Sequence, residues 1–181
     1  TDVYKVDTKN SNLEWVGAKL TGKHHGTINF SGGEIRVLSG HYSGMLEVNM
    51  KTIKDVDLKD KSKKAKLEGH LKSADFFDAE KYPKSTFVIL SITPIANAQT
   101  GGPTHHIKGN ITIKDKTRPV EFDAMLGTDK DRMTCTGSVV IDRTEFDVKY
   151  GSKKFFPSIG DKIIYDEFTL KFTLIAVRTS A

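Results

Sequence analysis

The chain has 181 residues, 37% of them hydrophobic and 28% charged, with a net charge of +5. That length supports one domain with a sizeable core and is short for two, and the composition belongs to a folded chain. No apolar run approaches the roughly 20 residues of a membrane-spanning helix, and the single cysteine, Cys135, excludes an intrachain disulfide.

Apolar and polar residues alternate along most of the chain, the pattern of half-buried strands. Leu13, Trp15 and Gly17 share one face against Asn12, Glu14 and Val16. Ile28 and Phe30 alternate with Thr27 and Asn29; Gly32-Gly33 then reads as a turn, after which Ile35 and Val37 resume the pattern. Beyond a turn at Ser39-Gly40, Leu46, Val48 and Met50 form the next apolar face. The segment Asp60 to Ser73 breaks the alternation. Leu67, Leu71 and Ala74 are spaced near one helical turn, and Asp60 or Ser62 supplies a cap. Tyr82-Pro83 returns the chain to an extended form.

Phe87, Ile89 and Ser91 oppose Val88, Leu90 and Ile92, so both faces of that strand are expected to be buried. Four clearer strands follow: Ile107, Gly109, Ile111 and Ile113; Val120, Phe122, Ala124 and Leu126; Met133, Cys135, Gly137, Val139 and Ile141; and Phe168, Leu170, Phe172, Leu174 and Ala176. Turn chemistry separates them at Asp115-Lys116, Gly127-Thr128-Asp129 and Gly151-Ser152. The stretch from Tyr150 to Lys162, with Phe155-Phe156-Pro157, is irregular.

About eight strands with one polar face each would leave a large apolar face bare in a flat sheet. Closure into a barrel hides that face and removes the edges. The expected fold is all-β, one antiparallel barrel over residues 1–181 with a short helix packed near one end. A barrel of this size is either filled by side chains or holds one small ligand, and the pattern leaves both open. Inward parity places Trp15, Ile28, Phe30, Leu46, Val48, Ile107, Ile111, Phe122, Val139, Leu170 and Phe172 around the interior. Leu67, Leu71, Phe76 and Phe77 are expected at an entrance or lid.

Catalytic chemistry finds little support. There is no Gly-x-Ser-x-Gly, and carboxylate pairs such as Asp75 with Asp78 or Asp142 with Asp147 sit beside turns, where capping is their expected task. No catalytic residue, cofactor or metal is expected. The pairs His24-His25 and His105-His106 cannot chelate alone, because adjacent strand residues point to opposite faces. Cys135, at an apolar-parity position, reads as a small buried residue. The lysine-rich stretch with Lys59, Lys61, Lys63, Lys64 and Lys66 reads as a solvated surface, without the clustered aromatics of a nucleic-acid platform.

Several segments resemble the YceI-like family of lipocalin-like, polyisoprenoid-binding proteins. They are Tyr4 to Asp7 with Ser11; LEGHLKSADFFD from Leu67 to Asp78, continuing through Lys81-Tyr82-Pro83 to Phe87; Ile107 to Lys114; Thr117 to Val120; and IDRTEFDV from Ile141 to Val148. The resemblance implies a barrel without enzymatic activity that holds a long apolar lipid, whether polyisoprenoid, isoprenoid quinone or fatty-acyl compound, for carriage, storage or sensing. It implies export to the periplasm, in keeping with a chain that opens at Thr1-Asp2 without an initiator Met and reads as a mature or trimmed product. Transient membrane-surface contact and a homodimer stay open as partners. The alternative is a filled-core barrel that binds a protein or glycan on its surface. The sequence departs from the family pattern at Asn10, Asp115 and Asp147, all near turns.

Overall fold

The computed structural model describes residues 1–179. Among them lie strands β1 (Asp2–Val6), β2 (Asn12–Lys19), β3 (Gly22–Leu38) and β4 (His41–Asp55), then helix α1 (Lys61–Lys72). Strands β5 (Lys84–Pro94), β6 (His105–Ile113), β7 (Lys116–Asp129), β8 (Arg132–Asp142) and β9 (Glu167–Arg178) complete the order. All pairings are antiparallel, and the β3–β4 pairing closes the sheet on itself. Nine strands fill eight positions, because β1 and β2 share the slot between β3 and β9. At one end β2 sets Leu13 beside Ile28 and Phe172, and at the other β1 sets Tyr4 beside Ile35 and Arg178. The barrel of about eight strands with a short helix is thus the fold the chain adopts.

The long connections gather at one end. The β4–α1–β5 segment, the β2–β3 turn and the β8–β9 connection from Arg143 to Asp166 all lie there. At the far end Tyr4, Ile35, Ala124, Met133 and Ala176 are buried in one cluster. Burial pushes the Cys135 thiol up to about 12, so it stays protonated and inert.

Four local expectations are corrected. Gly32-Gly33 is not a turn: β3 runs through it, paired with Glu47 and Leu46 of β4, and a bulge falls just before it, between Phe30 and Gly32. Gly33 adopts φ +149, and a Cβ there would come within 2.8 Å of the Met45 carbonyl oxygen. Gly127 to Asp129 belongs to β7, whose register with β8 extends to Asp129–Arg132, and the turn falls at Lys130 in the left-handed region. In β5 only one face is buried. A bulge between Ile89 and Ser91 shifts the parity, so Phe87, Ile89 and Ile92 point inward while Val88 and Leu90 are exposed. Ala74 lies beyond the helix end and is exposed.

Aromatic side chains lie along the wall where inward-facing glycines make room. Trp15 faces Gly26 across β2–β3, where a Cβ would come within 2.6 Å of the indole. Phe172 faces Gly137 across β8–β9, with the ring 3.0 Å from an added Cβ. A Cβ at Gly109 would overlap the Phe87 ring and approach the Val88 carbonyl oxygen to 2.6 Å. The Trp15 indole N–H also donates to the Lys54 carbonyl at 3.2 Å, which fixes the ring against the wall.

Gly109→Ala is expected to destabilise the barrel by about 1–3 kcal/mol, the cost of overpacking a tight site. Urea denaturation checks it, and an unchanged midpoint would mean that Phe87 moves aside freely.

Candidate functional site

The barrel is hollow. A cavity of about 370 Å³ opens at the end that carries α1. All eleven residues expected around the interior line it: Trp15, Ile28, Phe30, Leu46, Val48, Ile107, Ile111, Phe122, Val139, Leu170 and Phe172. So do Leu67, Leu71, Phe76 and Phe77, at the helix end. Phe87, Phe122 and Phe172 form an aromatic band, with ring centroids 5.8 and 5.6 Å apart. Deeper in, Ile35, Leu126, Met133, Cys135 and Leu174 carry the apolar lining toward the closed end.

The rim is polar. Lys19, His24, His70, Arg143, Tyr165 and Glu167 join the lining there, and apolar parity gave no reason to single them out. One signal was legible for His24, which shares inward parity with Ile28 and Phe30 while His25 is exposed.

Helix α1 lies over the mouth with no fully buried residue. Asp60 caps it, accepting from the N–H groups of Ser62 and Lys63 at 2.9 and 3.1 Å. Its attachments are few. Glu68 accepts from the Asp55 N–H at 2.9 Å, and Leu71 packs on the core. His70 stacks edge-on against Phe76 and Tyr150 at 4.8 and 4.7 Å and meets Asp75 at 3.0 Å. The segment after it is held more firmly: Phe76 is buried, and Phe77 packs on Phe168 at 6.1 Å.

The β8–β9 connection, which meets the helix segment through Tyr150, is organised by Arg143. Its guanidinium is 4% exposed and donates to three carbonyls, those of Val148 (2.8 Å), Tyr165 (3.0 Å) and Ile164 (3.0 Å). Burial pulls its pKa below the ordinary arginine value, while Asp166 and Asp142 oppose that shift. The charge persists, because a guanidinium does not deprotonate in proteins. Asp142 caps the short turn Arg143–Phe146, and Asp147 ends it at φ +62, a left-handed conformation that aspartate tolerates. Asp142 and Asp147 therefore do the capping work expected of them.

A polar cluster borders the rim. His24 Nδ1 lies 2.9 Å from Asp57 Oδ2, and Asp55 completes a group whose ligand-type atoms lie within 4.8 Å of one another. Asp55 is 1% exposed, and its Oδ2 has no hydrogen-bond partner. Burial first, and then the neighbouring Asp57, pushes the Asp55 carboxyl up. Burial opposes ionisation of Asp57 as well, but hydrogen bonds from Asp55, His24 and the His25 N–H hold it well below the usual carboxylate range. Sequence spacing did not reveal this group. An irregularity in the β3–β4 register between Thr27 and Asn29 shifts the parity of β4, and Asp55 turns inward with Ile53.

Comparison with known proteins gives concordant results. The profile of the YceI-like domain family matches residues 4–176. A UPF0312 protein of Pseudomonas putida is 32% identical over 124 residues, 67% of this chain and 60% of the relative. The chain thus spans about three fifths of that curated relative's length. Among solved structures, Burkholderia cenocepacia BcnA has a TM-score of 0.71 at 25% identity, covering 95% of this chain and 99% of its own. A polyisoprenoid binding domain from Saccharophagus degradans has a TM-score of 0.67 at 12% identity, covering 97% and 98%.

Arg143→Ala leaves three carbonyls without their shared donor and is expected to destabilise the fold by about 1–3 kcal/mol for each acceptor that stays buried. Limited proteolysis should then cut between residues 149 and 165. Arg143→Lys should rescue little, since one ammonium cannot reproduce the planar fork. A connection that stays resistant to protease in the alanine variant would show that Arg143 does not organise it.

Proposed function

The chain belongs to the YceI-like domain family, and from that premise and its hollow apolar barrel we propose that it binds one long apolar lipid in the lumen without transforming it. The observation that carries the reading is the cavity of about 370 Å³, walled by aliphatic and aromatic side chains. Pockets for small molecules fall in a range of about 300–1,000 Å³. Left unfilled, such walls forfeit the packing that an apolar occupant would supply. Water recovers little of it, because apolar walls offer no hydrogen bonds.

A polyisoprenoid suits a deep, narrow lumen of this kind, and the similar domain from Saccharophagus degradans is described as polyisoprenoid-binding. Isoprenoid quinones and fatty-acyl chains share the same chemistry. Carriage, storage and sensing all fit such a binder, and the periplasm is its proposed compartment on the family resemblance alone. The mouth favours loading from an anionic lipid surface. Leu20, Val56, Phe155 and Phe156 are exposed at that end, and Lys149 and Lys154 lie over the Phe155 ring at 4.8 and 5.7 Å. The lysines of α1 extend the same positive rim. A filled-core module binding partners on its surface is disfavoured by the open lumen.

Mass spectrometry of organic extracts from natively purified protein is expected to show one lipid per chain. Leu46→Trp or Val139→Trp should lower that occupancy several-fold while circular dichroism stays unchanged. Full occupancy in both folded variants would place the lipid elsewhere, and turnover of an added lipid would make the protein an enzyme.

Helix α1, with no buried residue, is the element expected to move aside for entry. Amide exchange at residues 64–72 should be faster than in the strands and should slow when lipid is bound. Exchange as slow as the strands, and indifferent to lipid, would make the helix a static plug.

A further inference from the structure

Three side chains at the rim share an arrangement that lipid binding does not use. His24 comes from β3, Asp55 from the last position of β4, and Asp57 from the bend that follows. Each carboxylate has one oxygen held by a backbone N–H. Asp55 Oδ1 accepts from Leu58 at 2.8 Å, and Asp57 Oδ1 accepts from His25 at 3.1 Å. That leaves the second oxygen of each off the backbone, and ligand-type atoms of the two carboxyls and His24 lie within 4.8 Å of one another. Asp57 Oδ2 meets the imidazole there, and Asp55 Oδ2 has no partner beyond the neighbouring Asp57 carboxyl. This is how outer hydrogen bonds orient the ligand atoms of a metal centre.

The charge is also unbalanced. The chain carries 28 lysines and arginines. Among the described residues, however, His24 is the one basic side chain in ion-pair contact with either carboxylate. Two carboxyls facing each other out of water need either a shared proton or a cation between them.

We infer that His24, Asp55 and Asp57 form a binding site for a divalent transition-metal ion at the rim of the barrel. One imidazole nitrogen with two carboxylate oxygens suits zinc and its neighbours better than calcium or magnesium, which prefer oxygen alone. Zinc bonds of about 2.0–2.2 Å draw their ligand atoms to within about 3.5 Å of one another. From the observed 4.8 Å limit, modest side-chain rotation reaches that. Three protein ligands leave a coordination position open, and His24 also lines the cavity, so the ion sits beside the entrance. Glu68, which accepts from the Asp55 N–H, ties the site to α1. The site departs from the expectation of no metal, which rested on His spacing alone.

The test uses the untagged chain, stripped with EDTA, moved to chelator-free buffer and titrated with zinc chloride by calorimetry at neutral pH. One zinc per chain is expected, with a rise in Tm that EDTA reverses. His24→Gln and Asp55→Asn should each weaken binding by about 100-fold or more, beyond the 10–100-fold typical of outer-shell changes. His106→Gln should leave it unchanged. Circular dichroism verifies folding, and Asp57→Asn replaces Asp55→Asn if the latter fails to fold. Absence of stoichiometric zinc uptake would overturn the site. So would affinity held within about threefold in folded His24→Gln and carboxylate variants. A carboxylic-acid stretch from Asp55 that persists in the infrared at saturating zinc would also overturn it, by showing a shared proton in place of the ion.

Discussion

Room inside this barrel depends on rings packed closely against glycines. Eight strand positions enclose an interior that side chains can readily fill. Trp15, Phe87 and Phe172 are large enough to do so, yet each lies against an inward glycine, Gly26, Gly109 or Gly137, that yields the space of a Cβ. The rings thicken the wall and leave the axis open. Gly17, also inward, faces open space and lines the cavity. The hollow lumen, and with it the capacity to take an apolar chain, follows from this trade of side-chain volume between neighbouring strands.

The two segments at the mouth are built on different physics. The β8–β9 connection is fixed by one buried guanidinium that satisfies three carbonyls of an irregular backbone. Such a segment has no ladder of its own and would otherwise leave those acceptors unpaired. Helix α1 has its backbone bonds satisfied internally and needs no anchor for that purpose. It rests on the rim through Leu71, His70 and the Asp55–Glu68 bond. A rigid segment beside a lightly held helix is a sensible arrangement for an entrance. Those few contacts also link the helix to the polar cluster at Asp55.

Polar groups at the rim contrast with the apolar lumen in what they cost. Inside the barrel the wall is almost wholly apolar and its Ser85 hydroxyl is paired with Met50 Sδ, so an occupant need supply only apolar contact. At the rim, Arg143 is buried with each of its three nitrogens bonded to a carbonyl, and Asp55 is buried with one oxygen facing only the Asp57 carboxyl. Low local dielectric raises the stakes of both. That difference marks the Asp55 cluster as the place where a ligand other than an apolar chain has something to satisfy.

Strand identity, the closed all-β fold and the inward residues were legible in the sequence, because a period of two encodes which face is buried and closure is the economical way to hide one apolar face. The helix limits and the Asp60 cap were legible for the same local reason. Three things were decided only by tertiary pairing. Partner strands carried β3 through Gly32-Gly33 and β7 through Gly127. Bulges switched parity, exposing Val88 and Leu90 and bringing Asp55 inward to His24, a contact 31 residues apart in the chain that no local spacing announces. Whether the core was filled or hollow turned on the seating of rings on glycines of neighbouring strands. Alternation reports the direction of a side chain, and only the register between strands determines what it meets.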